Sequence, residues 1–201
     1  MLTHSGVGLT WVLDEPLARA SHALADDGVM WLIDPTDEPA ALEAALALGR
    51  PAAVLQLLDR HNRDCARVAE RLAVPHVKVP AVVPDSPFEV VPLVGWRFWH
   101  EVALWWPARR ALAVAEAIGT SPGYAPASLG AGVSVGLRPW PPRRLAAYEP
   151  EHVLVGHGPP LHGSAAAPAL REALRRSRVD LPRAVVALPL AMAGGRSRRS
   201  T

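Results

Sequence analysis

The chain has a single cysteine, Cys65, so no disulfide can form within it, and this fits a reducing compartment. It lacks the N-terminal basic region and apolar core of a secretory leader, which points to a cytoplasmic protein. It also lacks an uninterrupted apolar run of bilayer length. The best stretch, 184–193, is short and contains Pro189, so no membrane association is expected. No internal repeat and no interdomain linker stand out. A strong charge bias is missing too: the net charge is +2, and Arg196, Arg198 and Arg199 near the end supply more than all of it. Charge at one end is not a basic face, so nucleic-acid binding is not expected. Gly119-Thr120-Ser121 has neither the lysine nor the glycine spacing of a phosphate loop.

Half of the 201 residues are apolar, enough for one domain with a sizeable core. The patterning predicts strands over 8–13, 21–25 and 29–33, the last two joined by Asp26-Asp27-Gly28, a tight-turn sequence. Val29 to Ile33 is apolar throughout and reads as buried on both faces. A helix follows over about 38–48, then a strand over 52–58, a helix from Cys65 to Leu72 and a strand over 76–79. Extended segments are predicted at 88–94, 101–106 and 110–115. A Gly- and Pro-rich irregular stretch covers 119–151, with a short helix near 143–148. A strand at 153–155 and a helix at 164–178, capped by Ser164, complete a single domain over 1–178. Residues 179–201 read as a loose tail. Strands and helices in this order make a layered α/β (α+β) domain with helices outside.

The chemistry gathers at the end of the 52–58 strand. Asp59, His61 and Asp64 are three metal-type ligands on one turn, beside Arg60 and Arg63. They admit two readings. One is a divalent-metal site completed by Glu116 or His157. The other is a turn ordered by Arg–carboxylate pairs, with His61 hydrogen-bonded among them. Glu116 lies in an otherwise apolar stretch, where a carboxylate must be paired or face a pocket. His157 sits between Gly156 and Gly158, and Asp34 closes the 29–33 strand. His100 and His162 read as structural, and Cys65 as a small core residue. Trp96, Trp99, Trp105 and Trp106 cluster in sequence, either as core or as a strip for an apolar partner, including a second copy in a homodimer.

The ordered set of landmarks over roughly 8–178 resembles the metallo-β-lactamase superfamily. Val29–Pro35 resembles that family's strand ending in an aspartate near the metals. The turn 59–64 stands where the family writes His-x-His-x-Asp-His, and Gly95–Leu104 resembles its later "GHTPGH" segment. Glu116 stands at its metal-bridging aspartate, and Gly156-His157-Gly158 at its last metal-binding histidine. The resemblance implies an αββα four-layer sandwich and a metal-dependent hydrolase of a small ester, thioester, lactone or phosphoester. Position by position it places Asp59 on the first histidine, His61 on the second, Arg63 on the aspartate and Asp64 on the third histidine. Trp96 falls where a further histidine ligand belongs, and its indole offers only an N–H donor. Arg63 brings a fixed positive charge where a second metal would bind. The resemblance therefore implies at most one divalent ion, zinc or manganese, or none. Metal ligands would come from Asp59, His61, Asp64, Glu116 and His157. Asp64 and His157 would be the catalytic groups, and Asp34, Arg63 and Trp96 would support or replace the metal shell. Without metal, an Arg63–Glu116 pair is expected, in a protein that binds a small-molecule ligand or a partner through the altered pocket.

Overall fold

The computed structural model describes residues 1–125, 129–182, 184 and 185. Its elements in chain order are β1 (Leu2–Ser5), β2 (Gly8–Val12), β3 (Ala20–Asp26), β4 (Val29–Ile33), α1 (Pro39–Leu46), β5 (Arg50–Gln56), α2 (Cys65–Leu72) and β6 (His76–Lys78). The second half holds β7 (Glu89–Trp96), β8 (Trp99–Trp106), β9 (Ala111–Val114), β10 (Ile118–Gly119), β11 (Gly132–Val133), β12 (His152–Val155), β13 (Leu161–His162) and α3 (Ala166–Arg176).

The first six strands form one sheet in sequence order. They run antiparallel from β1 to β4 and parallel across β4, β5 and β6. The second sheet has the order β13-β12-β9-β8-β7, with β12 parallel to β9. A two-stranded ribbon, β10-β11, stands apart. The alternation of side chains along a strand fills two cores at once. Trp31, Ile33 and Leu55 point into the core between the sheets, against Leu104, Leu112 and Val153. Met30, Leu32 and Val54 point the other way, to Leu42 of α1 and Val68 of α2. Leu170 and Leu174 of α3 join the main core from the far side. The result is the expected α/β/β/α layering.

The Asp26-Asp27-Gly28 turn is a hairpin turn, with φ of 50° at Asp27 and 76° at Gly28, the geometry that suits a tight β-hairpin. The helix at 65–72 has the expected bounds. Ser164 does not cap the last helix. A 3-10 turn over Gly163–Ala165 leads into α3, whose N-cap is Ala165 with no side-chain bond. The expected tail falls partly outside the described residues, and with it Arg196, Arg198 and Arg199. Before that point helical hydrogen bonding continues, from Asp180 N–H to the Arg176 carbonyl and from Ala184 N–H to Asp180. Among the described residues, no helix is long and apolar enough to cross a membrane.

Candidate metal centre

Three loops, each following a strand, meet at one edge of the sandwich. The turn after β5 carries His61, the turn after β9 carries Glu116, and the turn after β12 carries His157. One ligand atom from each lies within 4.8 Å of the others, the one such trio found among the described residues. Glu116 Oε2 is 3.0 Å from His61 Nε2 and 3.1 Å from His157 Nε2, and the two Nε2 atoms are 3.3 Å apart.

Each of the three is held from behind. His157 donates its Nδ1–H to the Leu17 carbonyl at 2.9 Å, which turns Nε2 inward. Asp34 Oδ2 lies 3.6 Å from His61 Nδ1, while Asp34 Oδ1 accepts the Leu57 N–H at 3.2 Å. Asp34 is buried and strained, with φ of 45°, so its place behind His61 is set by backbone shape as well as by contacts. Glu116 Oε1 accepts the Tyr124 hydroxyl at 2.8 Å and the Ser134 hydroxyl at 3.3 Å, which leaves Oε2 for the histidines. Tyr124 also stacks on His157, with ring centroids 5.7 Å apart. The glycines that flank His157 are required by space. A Cβ on Gly156 would meet the Ala115 carbonyl oxygen at 2.1 Å. One on Gly158, where φ is 100°, would meet Thr120 Oγ1 at 2.3 Å.

Electrostatics follow from this packing. Burial alone would raise the Glu116 pKa, but bonds from His157 and His61 outweigh it and hold the carboxylate well below its usual range. Burial opposes a charge on His61, yet Asp34 and Glu116 together raise its pKa. Burial and the neighbouring Glu116 charge push the Tyr124 phenol far up, so it stays a hydrogen-bond donor.

The structure does not bring every predicted site residue into this cluster. Asp59 turns towards β8, where its Oδ2 accepts the His100 N–H at 3.1 Å and faces His100 Nδ1 at 3.3 Å. Asp64 stands at the start of α2. It accepts the Asp37 N–H at 2.9 Å and pairs with Arg67 at 2.7 Å. Arg63 makes no ion pair with Glu116 among the described residues. Its guanidinium donates to the carbonyls of Ala20, Asp34 (3.1 Å) and Gly156 (2.8 Å), tying the two sheets together beneath the cluster. Three carbonyls take its N–H donors in place of the predicted carboxylate. Trp96 lies at the tip of the β7–β8 hairpin, edge-on to Trp99 and Trp140, and is 36% exposed. The ordered turn predicted from Arg–carboxylate pairs has other partners: Arg60 lies on Trp99, not on Asp59. Tyr124 and Ser134 carried no such expectation, because both sit in the irregular stretch around β10 and β11.

The trio forms the floor of an open cavity of about 630 Å³, with Leu17, Arg19, Arg60 and Gly136 among its walls. Two imidazole nitrogens and one carboxylate oxygen, each backed by a second hydrogen bond or charge, suit a zinc or manganese ion. The Asp34 carboxylate, 3.6 Å from His61 Nδ1, favours the tautomer protonated at Nδ1, which leaves Nε2 to face a cation.

A sandwich of these two sheets is the metallo-β-lactamase fold. Solved structures similar to this chain include TMB-1, at a TM-score of 0.63 and 12% identity, covering 92% of this chain and 98% of that one. The DIM-1 metallo-β-lactamase exposed to ceftazidime matches at 0.60 and 11%, covering 89% and 96%. A metallo-β-lactamase from Pontibacter korlensis matches at 0.59 and 13%, covering 87% and 98%. No family model matches the sequence, and no curated protein sequence matches it. At these identities the likeness is one of fold.

Proposed function

We propose that this protein is a hydrolase of a small ester, thioester, lactone or phosphoester, working with one divalent ion, zinc or manganese, held by His61, Glu116 and His157. The observation that carries the reading is the convergence of those three donors on the floor of an open cavity. When bound, the ion would lower the pKa of water and polarise a carbonyl or phosphoryl oxygen. The chain's own residues supply the rest. Leu17 and Asp34 fix the two imidazoles. Tyr124 holds Glu116 in one rotamer and stacks on His157. Arg63, a permanent cation below the cluster, supports a limit of one ion, because a second would meet its charge.

The runner-up is a metal-free relative that binds a small molecule through the same cavity. One observation favours it: both Glu116 oxygens already have protein partners, His61 and His157 at Oε2 and the Tyr124 and Ser134 hydroxyls at Oε1. Titrating the purified, metal-stripped protein with Zn²⁺ and Mn²⁺ separates the two. Binding near one equivalent at about micromolar affinity or tighter, lost in His61→Ala, supports the hydrolase. No binding in that range sinks it and leaves the binding protein.

A further inference from the structure

Three arginines face the cavity, and two of them are spent. Arg19 forms a two-pronged bond with Glu15, and Arg63 is occupied by carbonyls. Arg60 is different. It is exposed at the rim, and no carboxylate of the described residues lies within 4 Å of it. Its guanidinium carbon sits 3.9 Å above the Trp99 ring, and one N–H reaches towards the Phe98 carbonyl at 3.5 Å. Stacking fixes the plane of the guanidinium and leaves its other N–H donors without a partner among the described residues.

The platform beneath it is firm. Trp99 is 6% exposed, and its indole N–H donates to Glu101 Oε2 at 2.9 Å. Its ring packs on Gly136, where a Cβ would come within 3.0 Å, and Gly136 itself lines the cavity. Beyond the rim the aromatic surface continues through Trp96 to Trp140. Phe98 and Trp140 are 71% and 68% exposed. A preset, unpaired guanidinium beside exposed aromatic faces favours one kind of guest: an anionic group on an aromatic or extended apolar body.

We infer that Arg60, seated on Trp99, is an anion-recognition subsite at the cavity mouth, and that the natural ligand carries a carboxylate or phosphate remote from the group presented to His61, Glu116 and His157. This rests on the same cavity as the proposed function but not on any metal.

The test is equilibrium binding, by calorimetry or tryptophan fluorescence, of phenylacetate against its uncharged analogue phenylacetamide, with phenyl phosphate as a third probe. In the wild type, phenylacetate or phenyl phosphate binds at least about tenfold more tightly than the amide. Whichever anion is the tighter identifies the carboxylate or the phosphate as the preferred group. The preference falls to within about twofold in Arg60→Gln, is partly kept in Arg60→Lys, and persists in His61→Ala. Unfolding curves confirm that the exposed Arg60 variants are folded. The inference is overturned if acids and amide bind alike in the wild type or none binds up to about 10 mM. A preference that survives in Arg60→Gln, or that disappears in His61→Ala, overturns it too. A protein that binds no zinc yet keeps the Arg60-dependent preference loses only the hydrolase reading. One that binds zinc but treats acid and amide alike loses only this subsite.

Discussion

His22 and Glu101 are fully enclosed ionisable groups whose titrations oppose each other, and replacing either one should uncover the other. His22 lies in β3, with Nε2 donating to the Val155 carbonyl at 3.0 Å and Nδ1 bonded to the Thr10 hydroxyl at 2.8 Å. Burial depresses its pKa from 6.5 to about 4, the Val155 bond only partly resisting. Glu101 lies in β8. It accepts bonds from Trp99 Nε1 and from the N–H groups of Glu116 and Ala117, yet burial pushes its pKa from 4.5 up to about 7. For His22 the unfolded chain binds the proton more readily, so stability is full above pH 6.5 and is lost as pH falls towards 4. For Glu101 the folded chain binds it more readily, so stability is full below pH 4.5 and is lost as pH rises through 7. At 1.36 kcal/mol per unit, each arm amounts to about 3 kcal/mol. Between pH 4.5 and 6.5 they nearly cancel. Denaturant unfolding across pH 4 to 8 should therefore show His22→Gln losing about 3 kcal/mol of stability relative to wild type as pH rises through the window. Glu101→Gln should gain about as much relative to wild type over the same range. Taking differences against wild type removes the half-exposed His152 and His162, which titrate in all three proteins. If either variant runs parallel to wild type, the assigned protonation states are wrong.

Two further outcomes follow from the proposed metal centre. Tyr124→Phe removes the hydroxyl that holds Glu116 Oε1, and should weaken zinc binding by about 10- to 100-fold with little change in fold, read by competition with a chromogenic chelator. Asp59→Asn and Asp64→Asn should leave zinc affinity within about twofold of wild type, since neither carboxylate joins the cluster. A tenfold loss in either would restore the metal role that their place in sequence suggested.

Much of the architecture was legible because it rests on local rules. Val29 to Ile33, apolar at each position, had to be covered on both faces, and Asp27-Gly28 could turn the chain cheaply. Cys65 to Leu72 showed its helix bounds. β1 was not legible: His4 and Thr3 break any apolar alternation, and the strand exists by pairing with β2. β10 and β11 are two residues each, too short for a period. At the site, His61, Glu116 and His157 were readable as ligand types after strands. The aim of Asp59 and Asp64 was not. In a turn no two-residue period says which way a side chain points, and the deciding partners, His100 and Arg67, lie outside the turn itself. Tyr124 gave no signal because its role depends on the ribbon that folds it over Glu116.

The donors of the cluster are drawn from both sheets, and His61 and His157 are 96 residues apart in the chain. Closing a loop over such a span carries an entropic cost that local contacts do not, so contacts at the site should form after the sheets have docked. Anything that ties the three together then acts as a clasp across the sandwich. It would have little hold on how fast the chain folds and a strong one on how fast it comes apart. Arg63, fastened to carbonyls of β3, the β4 end and the β12 end, already draws the same seam closed from below.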